Sequence, residues 1–94
     1  MSSVFKNKRG SILSIAAKHG AKDIRIFGSF ARGEDKPGSD ADFIVDLEEG
    51  RSLFDLIALR NNLEKLLGRK VDVVTEGSIH WYIKNKIIQE AAEI

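Results

Sequence analysis

The chain predicts a small α/β (α+β) fold, a mixed β-sheet with helices packed on it, carried by a single domain spanning residues 1–94. Two observations point there. Segments with helical apolar spacing alternate with short runs of β-forming residues, the pattern of a layered α/β domain. Ninety-four residues, 43% of them hydrophobic, suffice for one modest core and no second domain. A chain of this size should bury roughly 65% of its unfolded surface. If it is an enzyme, something else must help to present the substrate.

The first helix is expected from about Phe5 to His19, because Ile12, Ile15, Ala16 and His19 share one face. Gly20 stands where a left-handed cap belongs, and His19 is expected to complement the helix dipole. Gly10 costs about 1 kcal/mol relative to alanine inside a helix, which favours a late start. Asp23 to Phe27 then alternates polar and apolar residues and reads as a strand. It runs into Gly28-Ser29-Phe30-Ala31-Arg32-Gly33, a turn or short helix, and a loop punctuated by Pro37-Gly38. Asp42 to Leu47 is the second strand. Ser52, with Asp55 three residues on, opens a long helix as a variant capping box. Its buried stripe is expected to be Leu53, Leu56, Ile57, the stem of Arg60, Leu63, Leu66 and Leu67, and Gly68 ends it. Lys70 to Thr75 is the third strand, and Ser78 caps a last helix whose inner face is Ile79, Ile83, Ile87 and Ala91.

Composition excludes several kinds of chemistry. Fifteen Lys and Arg balance fourteen Asp and Glu, so bulk charge gives no argument for nucleic-acid or membrane affinity. The absence of cysteine rules out disulfides, thiolate catalysis and cysteine-ligated zinc or iron–sulfur sites. No apolar run is long enough to span a membrane, and the cations between Met1 and Gly10 lack the apolar stretch of a secretory signal. A soluble cytoplasmic protein is expected.

Three acidic residues carry the chemistry. Asp40 and Asp42 bracket Ala41 at a strand start, and residues two apart in a strand project from one face. Adjacent carboxylates raise one another's pKa unless a cation lies between them, and hard oxygen donors favour Mg²⁺ or Mn²⁺ over zinc. Alone, the pair reads equally as an Asp-rich turn with Ser39 and Asp40 as local caps. Asp72 lies within Val71-Asp72-Val73-Val74, where an unpartnered charge is costly if the strand is buried. Either the strand is an edge strand and Asp72 is solvated, or Asp72 joins the pair from a neighbouring strand. Three convergent carboxylates can hold two metal ions about 3.5–4 Å apart for in-line phosphoryl or nucleotidyl transfer. Gly28-Ser29 sits at a strand end, where glycine allows close backbone approach to a phosphate and Ser29 offers a hydroxyl. The Walker spacing is absent, and the dipeptide alone is common in turns.

Together, Gly28-Ser29, ten intervening residues, Asp40-Ala41-Asp42 and the later Asp72 resemble the signature of the polymerase-β-like nucleotidyltransferase superfamily. The fuller string Gly28-Ser29-Phe30-Ala31-Arg32-Gly33 followed by Ser39-Asp40-Ala41-Asp42 looks like its minimal branch. The resemblance is close from Ile24 to Thr75. It implies that Gly28 and Ser29 bind the triphosphate of ATP, and that Asp40 and Asp42 hold two Mg²⁺ (or Mn²⁺) ions. It also implies that Asp72 joins the catalytic metal as base toward the incoming hydroxyl. Arg32 matches the family's arginine and is either a phosphate ligand or a solvated loop cation; Lys36 is expected to face solvent. Minimal-branch chains are similar to the antitoxin half of HEPN/MNT toxin–antitoxin pairs. The function implied is transfer of AMP to a tyrosine of a HEPN ribonuclease toxin. A silent antitoxin that masks its toxin by binding is the alternative, as is nucleotidyl transfer to a small molecule. The remaining polar features are read more plainly. Glu48-Glu49 is expected to be a solvated loop, and Arg51, Arg60 and Arg69-Lys70 to solvate the long helix. His80-Trp81-Tyr82 is either a docking patch or, for its aromatic rings, packed on the sheet.

Overall fold

A computed structural model describes residues 3–34, 36, 38–78 and 81–94. The elements, in order, are α1 (Ser3–Lys18), β1 (Ala21–Phe27), α2 (Ser29–Arg32), β2 (Ala41–Leu47), α3 (Leu53–Leu67), β3 (Val71–Thr75), a 3₁₀ turn (Glu76–Ser78), α4 (Trp81–Glu90) and β4 (Ala92–Glu93). Among the described residues no helix is long and apolar enough to cross a membrane.

The sheet has the order β3-β2-β1-β4. β1 is antiparallel to β2 and to β4, whereas β2 and β3 are parallel. A parallel pair needs a crossover, and α3 supplies it. The two-residue β4 had no expected counterpart; so short a run carries no periodic signal. Alternation along the strands sends Ile24, Ile26, Phe43, Val45, Val71 and Val73 into one core with Ile12 and Ala16 of α1 and Leu59, Leu63 and Leu67 of α3. The opposite face of β2 and β3 carries Asp42 and Asp72.

The expected strands and the ends of α1 and α3 hold, with boundaries moved by a residue or two, whereas Ser78, expected to cap the last helix, lies in the 3₁₀ turn and α4 is described from Trp81. Gly10 does not delay α1, which runs through it from Ser3. Gly20 follows α1 with φ +83°, a conformation strained for any residue with a Cβ, and a Cβ there would also displace the Arg51 side chain. His19 bonds Asn62 of α3 at 2.8 Å, so it ties two helices together besides closing one. Glu48 and Glu49 are exposed, as expected. Of the expected inner face of α4, Ile87 is half-buried, and Ala91, also half-buried, lies just past the helix end at Glu90. Ile79 and His80 lie outside the described residues, as does Pro37, and so do the side chains of Ser78, Trp81, Tyr82 and Ile83.

The capping box forms as expected: Ser52 Oγ accepts from the Phe54 amide at 3.2 Å, and Asp55 Oδ2 accepts from the Ser52 amide at 2.9 Å. That amide, with help from Arg51, holds the Asp55 carboxyl below its ordinary 3.8. Its stabilising effect is therefore complete above that pH and lost as the pH falls through the depressed value. Ser52→Ala removes one half of the box. It is expected to cost about 1 kcal/mol, read as a melting temperature roughly 4–8 °C lower.

The buried stripe of α3 is corrected in its first half. Leu59, Leu63 and Leu67 face the core and Leu56 and Leu66 pack at its margin, but Leu53 is 68% exposed and Ile57 39%. The start of α3 lies beside β3, where Leu53, Leu56 and Ile57 line an open groove with Asp72 and Val73 instead of entering the core.

Candidate active site

Three neighbouring strands bring the expected residues to one end of the sheet. β1 ends at Phe27, which pairs with Asp42, so Gly28 follows directly beside that carboxylate. Asp42 in turn pairs in register with Asp72 across the parallel β2–β3 ladder. Residues in register on adjacent parallel strands share a face, with the strands about 4.8 Å apart. The order across the sheet is therefore Gly28, Asp42, Asp72.

Gly28 has φ +73° and ψ −149°, a conformation close to glycine-only territory, and a Cβ there would stand 2.6 Å from Asp42 Oδ2. Backbone and carboxylate can meet this closely only because position 28 has no side chain. The chain then makes one helical turn, closed by Arg32 N–H on Gly28 C=O at 3.1 Å and by Gly33 in the left-handed conformation. Phe30 anchors the turn, its ring fully buried in the core.

Arg69 holds the next piece. Its guanidinium lies 4.8 Å from the centre of the Phe30 ring, and its Nη1 donates to the Ser39 carbonyl at 3.1 Å. The adjacent Lys70 carbonyl accepts the Ala41 amide at 3.0 Å. Arg69 thus links the Gly28–Gly33 turn to the segment that presents Asp40, rather than solvating the long helix. No local pattern could have revealed this, since both partners lie 30 or more residues away in sequence. Arg51 and Arg60, by contrast, do lie along α3, beside Asp55 and Glu64.

Asp40 precedes β2 and is exposed. The turn before it is closed by Ser39, whose Oγ accepts the Lys36 amide at 2.8 Å and whose own amide donates to the Lys36 carbonyl at 2.9 Å. Asp40 makes none of these capping bonds. Asp72 is also exposed, on a strand at the edge of the sheet, as the solvated reading has it, and it stands in register beside Asp42. The Asp42 carboxyl is pushed above its ordinary value, first by burial and then by the charges of Asp72 and Asp40. Arg32 opposes that shift. Its guanidinium pairs with Glu34 at 3.0 Å and Glu90 at 3.2 Å, partners that raise its own pKa, the Glu34 hydrogen bond most. Arg32 is thus an ion-paired cation near the carboxylates, not an isolated one.

Among the described residues no three His, Cys, Asp or Glu side chains are grouped tightly enough to hold a metal ion as they stand. The three-carboxylate cage expected from the sequence is therefore not closed. What is present is a carboxylate row whose mutual repulsion a divalent cation would relieve, with all-oxygen donors suited to Mg²⁺ or Mn²⁺.

Such a sheet end, with a glycine turn beside in-register carboxylates, defines a nucleotidyl-transfer architecture. The sequence family described as the nucleotidyltransferase domain matches residues 10–94, and the chain belongs to it; it is a nucleotidyltransferase. MJ0435 of Methanocaldococcus jannaschii, provisionally named a protein adenylyltransferase, is 48% identical over 83 residues, covering 88% of this chain and 89% of that one. Protein adenylyltransferase MntA of Thermococcus cleftensis is 40% identical over 77 residues, 82% of this chain and 78% of its own. A solved structure provisionally named a minimal nucleotidyltransferase superposes with a TM-score of 0.89 at 40% identity, covering 98% of this chain and 94% of that one. A toxin–antitoxin crystal structure with AMP-PNP shares the fold, with a TM-score of 0.77 at 20% identity over 89% of this chain and 69% of that one.

Proposed function

We propose that the chain is a divalent-metal-dependent protein adenylyltransferase that moves AMP from ATP to a hydroxyl of a partner protein and acts as an antitoxin. The tyrosine of a HEPN ribonuclease toxin is the acceptor this reading favours. The observation that carries it is the row Gly28, Asp42, Asp72 across three adjacent strands. The names of the two relatives support adenylyl transfer to protein, and the toxin–antitoxin neighbour supports a toxin as partner.

In this reading Gly28 lets the triphosphate lie against the backbone, and the Ser29 hydroxyl donates to it. Arg32 exchanges its carboxylate partners for phosphate oxygens, which a guanidinium grips with two parallel hydrogen bonds. Asp40 and Asp42 would hold the cation, with phosphate oxygens completing a shell that the protein alone leaves open. A bound divalent cation there supplies neutralisation of charge on the α-phosphate and the leaving pyrophosphate. Asp72 accepts the proton of the acceptor hydroxyl as its oxygen bonds to the α-phosphorus. The bond from that phosphorus to the bridging oxygen breaks, and pyrophosphate departs.

The test mixes the protein with its HEPN partner, Mg²⁺ and ATP labelled at the α-phosphate, beside an Asp40→Asn/Asp42→Asn variant. Label is expected on the partner with the wild type only. Equal labelling by the variant overturns the carboxylate assignment. Tight binding of the partner without label replaces transfer by masking as the mode of neutralisation.

A further inference from the structure

The start of α3 is too apolar for the solvent it faces. Leu53 is 68% exposed, Phe54 83% and Ile57 39%, and contiguous apolar surface of this kind marks interaction sites. Leu53, Leu56 and Ile57 form one wall of an open groove of about 200 Å³, and Arg60, Val73 and Asp72 line the rest. The groove therefore runs between α3 and β3, the outermost strand on that side of the sheet, and reaches the site through Asp72.

The edge of β3 has a defined hydrogen-bonding direction. Ala41 N–H donates to Lys70 C=O, which in a parallel ladder turns the backbone groups of residues 70, 72 and 74 toward β2. Those of Val71 and Val73 consequently face outward. Glu64 Oε2 accepts the Val71 amide at 3.3 Å, and among the described residues no strand lies beyond Val73. A segment laid along the groove meets this apolar wall, whereas Val71 and Val73 are only 2% and 8% exposed and leave little of the strand edge open to it.

The position of the groove selects its occupant. Gly28 lies at the β1 end of the row and the groove opens beyond Asp72 at the β3 end, with Asp42 between them. In-line transfer requires the attacking oxygen to enter opposite the leaving group. With the triphosphate at Gly28, the acceptor enters from the β3 side. We infer that the groove between α3 and the β3 edge docks an extended, apolar, hydroxyl-bearing segment of the acceptor protein and delivers its hydroxyl to Asp72. This rests on the adenylyltransferase reading above. Phe54, outside the groove lining, extends the apolar surface beyond what a small acceptor would cover. A second copy of this chain on the same face would bury Asp72 and close the entrance.

Leu53→Asp/Ile57→Asp, with Phe54→Ser as a milder single variant, tests this, after circular dichroism shows that each is folded. Three quantities are read: AMP transfer to the partner protein, partner affinity by calorimetry, and the Kd for AMP-PNP with Mg²⁺. The double variant is expected to lose at least about tenfold in kcat/KM for the partner, through KM, with AMP-PNP affinity within about twofold of wild type. Leu53→Met/Ile57→Leu should restore transfer. Unchanged kcat/KM and partner affinity overturn the inference. So does a wild-type dimer that the double variant converts to a monomer with transfer intact, which would make the face a self-interface. If the wild type labels no partner, adenylyl transfer falls, and the groove is judged by binding alone: lost partner affinity in the double variant upholds it and retained affinity overturns it.

Discussion

Asp42→Asn is expected to lose AMP transfer by at least about 10³-fold while the protein becomes more stable at neutral pH. In the proposed role of Asp42 as a cation ligand, the activity loss follows from removing that ligand and with it several kcal/mol of charge stabilisation in the transition state. The stability gain follows from the raised pKa. Burial and the charges of Asp72 and Asp40 push the carboxyl above 3.8, so folding at pH 7 forces an anion into an unfavourable place. For an acid whose folded value lies above its unfolded one, this penalty is complete above the raised value. It fades as the pH falls from there toward 3.8, because the folded state takes up the proton more readily. Melting temperatures of wild type and variant should therefore differ most at pH 7 and converge near pH 4. An active variant, or one less stable at pH 7, would remove Asp42 from the role given to it. Adding Mg²⁺ and AMP-PNP should raise the wild-type melting temperature and leave that of the variant nearly unchanged.

Gly28→Ala is the second large effect, and it acts on both fold and site. The backbone conformation at φ +73° costs an L-residue of order 1–3 kcal/mol. The new methyl would also stand 2.6 Å from Asp42 Oδ2, so either the carboxylate or the turn must shift. A melting temperature lower by roughly 10 °C is expected, with transfer reduced at least about 10²-fold in the protein that remains folded. The double variant Gly28→Ala/Asp42→Asn should not be additive in stability, because the two positions touch. Full additivity would show that the close approach is unimportant.

Much of this is legible in the sequence. The helix ends at Ser52, Gly20 and Gly68 could be placed because capping is local chemistry with a local signature. Strand alternation puts Ile24 and Ile26 on one face, and Asp72 stands on a strand adjacent to that of Asp42, one of the two alternatives the sequence offered. What escaped depends on neighbours distant in sequence. Periodicity places Leu53 and Ile57 on an apolar stripe, but it cannot say whether the sheet extends far enough to cover them. Arg69 reads as one more surface cation until Phe30 and Ser39 are beside it. The openness of the carboxylate row was equally hidden, because spacing fixes which face a side chain uses and not how nearly three of them converge.

The single ring of Phe30 has a consequence for the turn it anchors. A four-residue helix has too few internal bonds to persist by itself, so the Gly28–Gly33 turn takes its rigidity from the core. Swinging the turn open would withdraw a fully buried ring, at a cost of about 1.5–3 kcal/mol. Open forms are then limited to no more than several per cent of molecules. If the turn holds the triphosphate as proposed, that side of the site is pre-shaped, and little binding free energy is spent on ordering a loop.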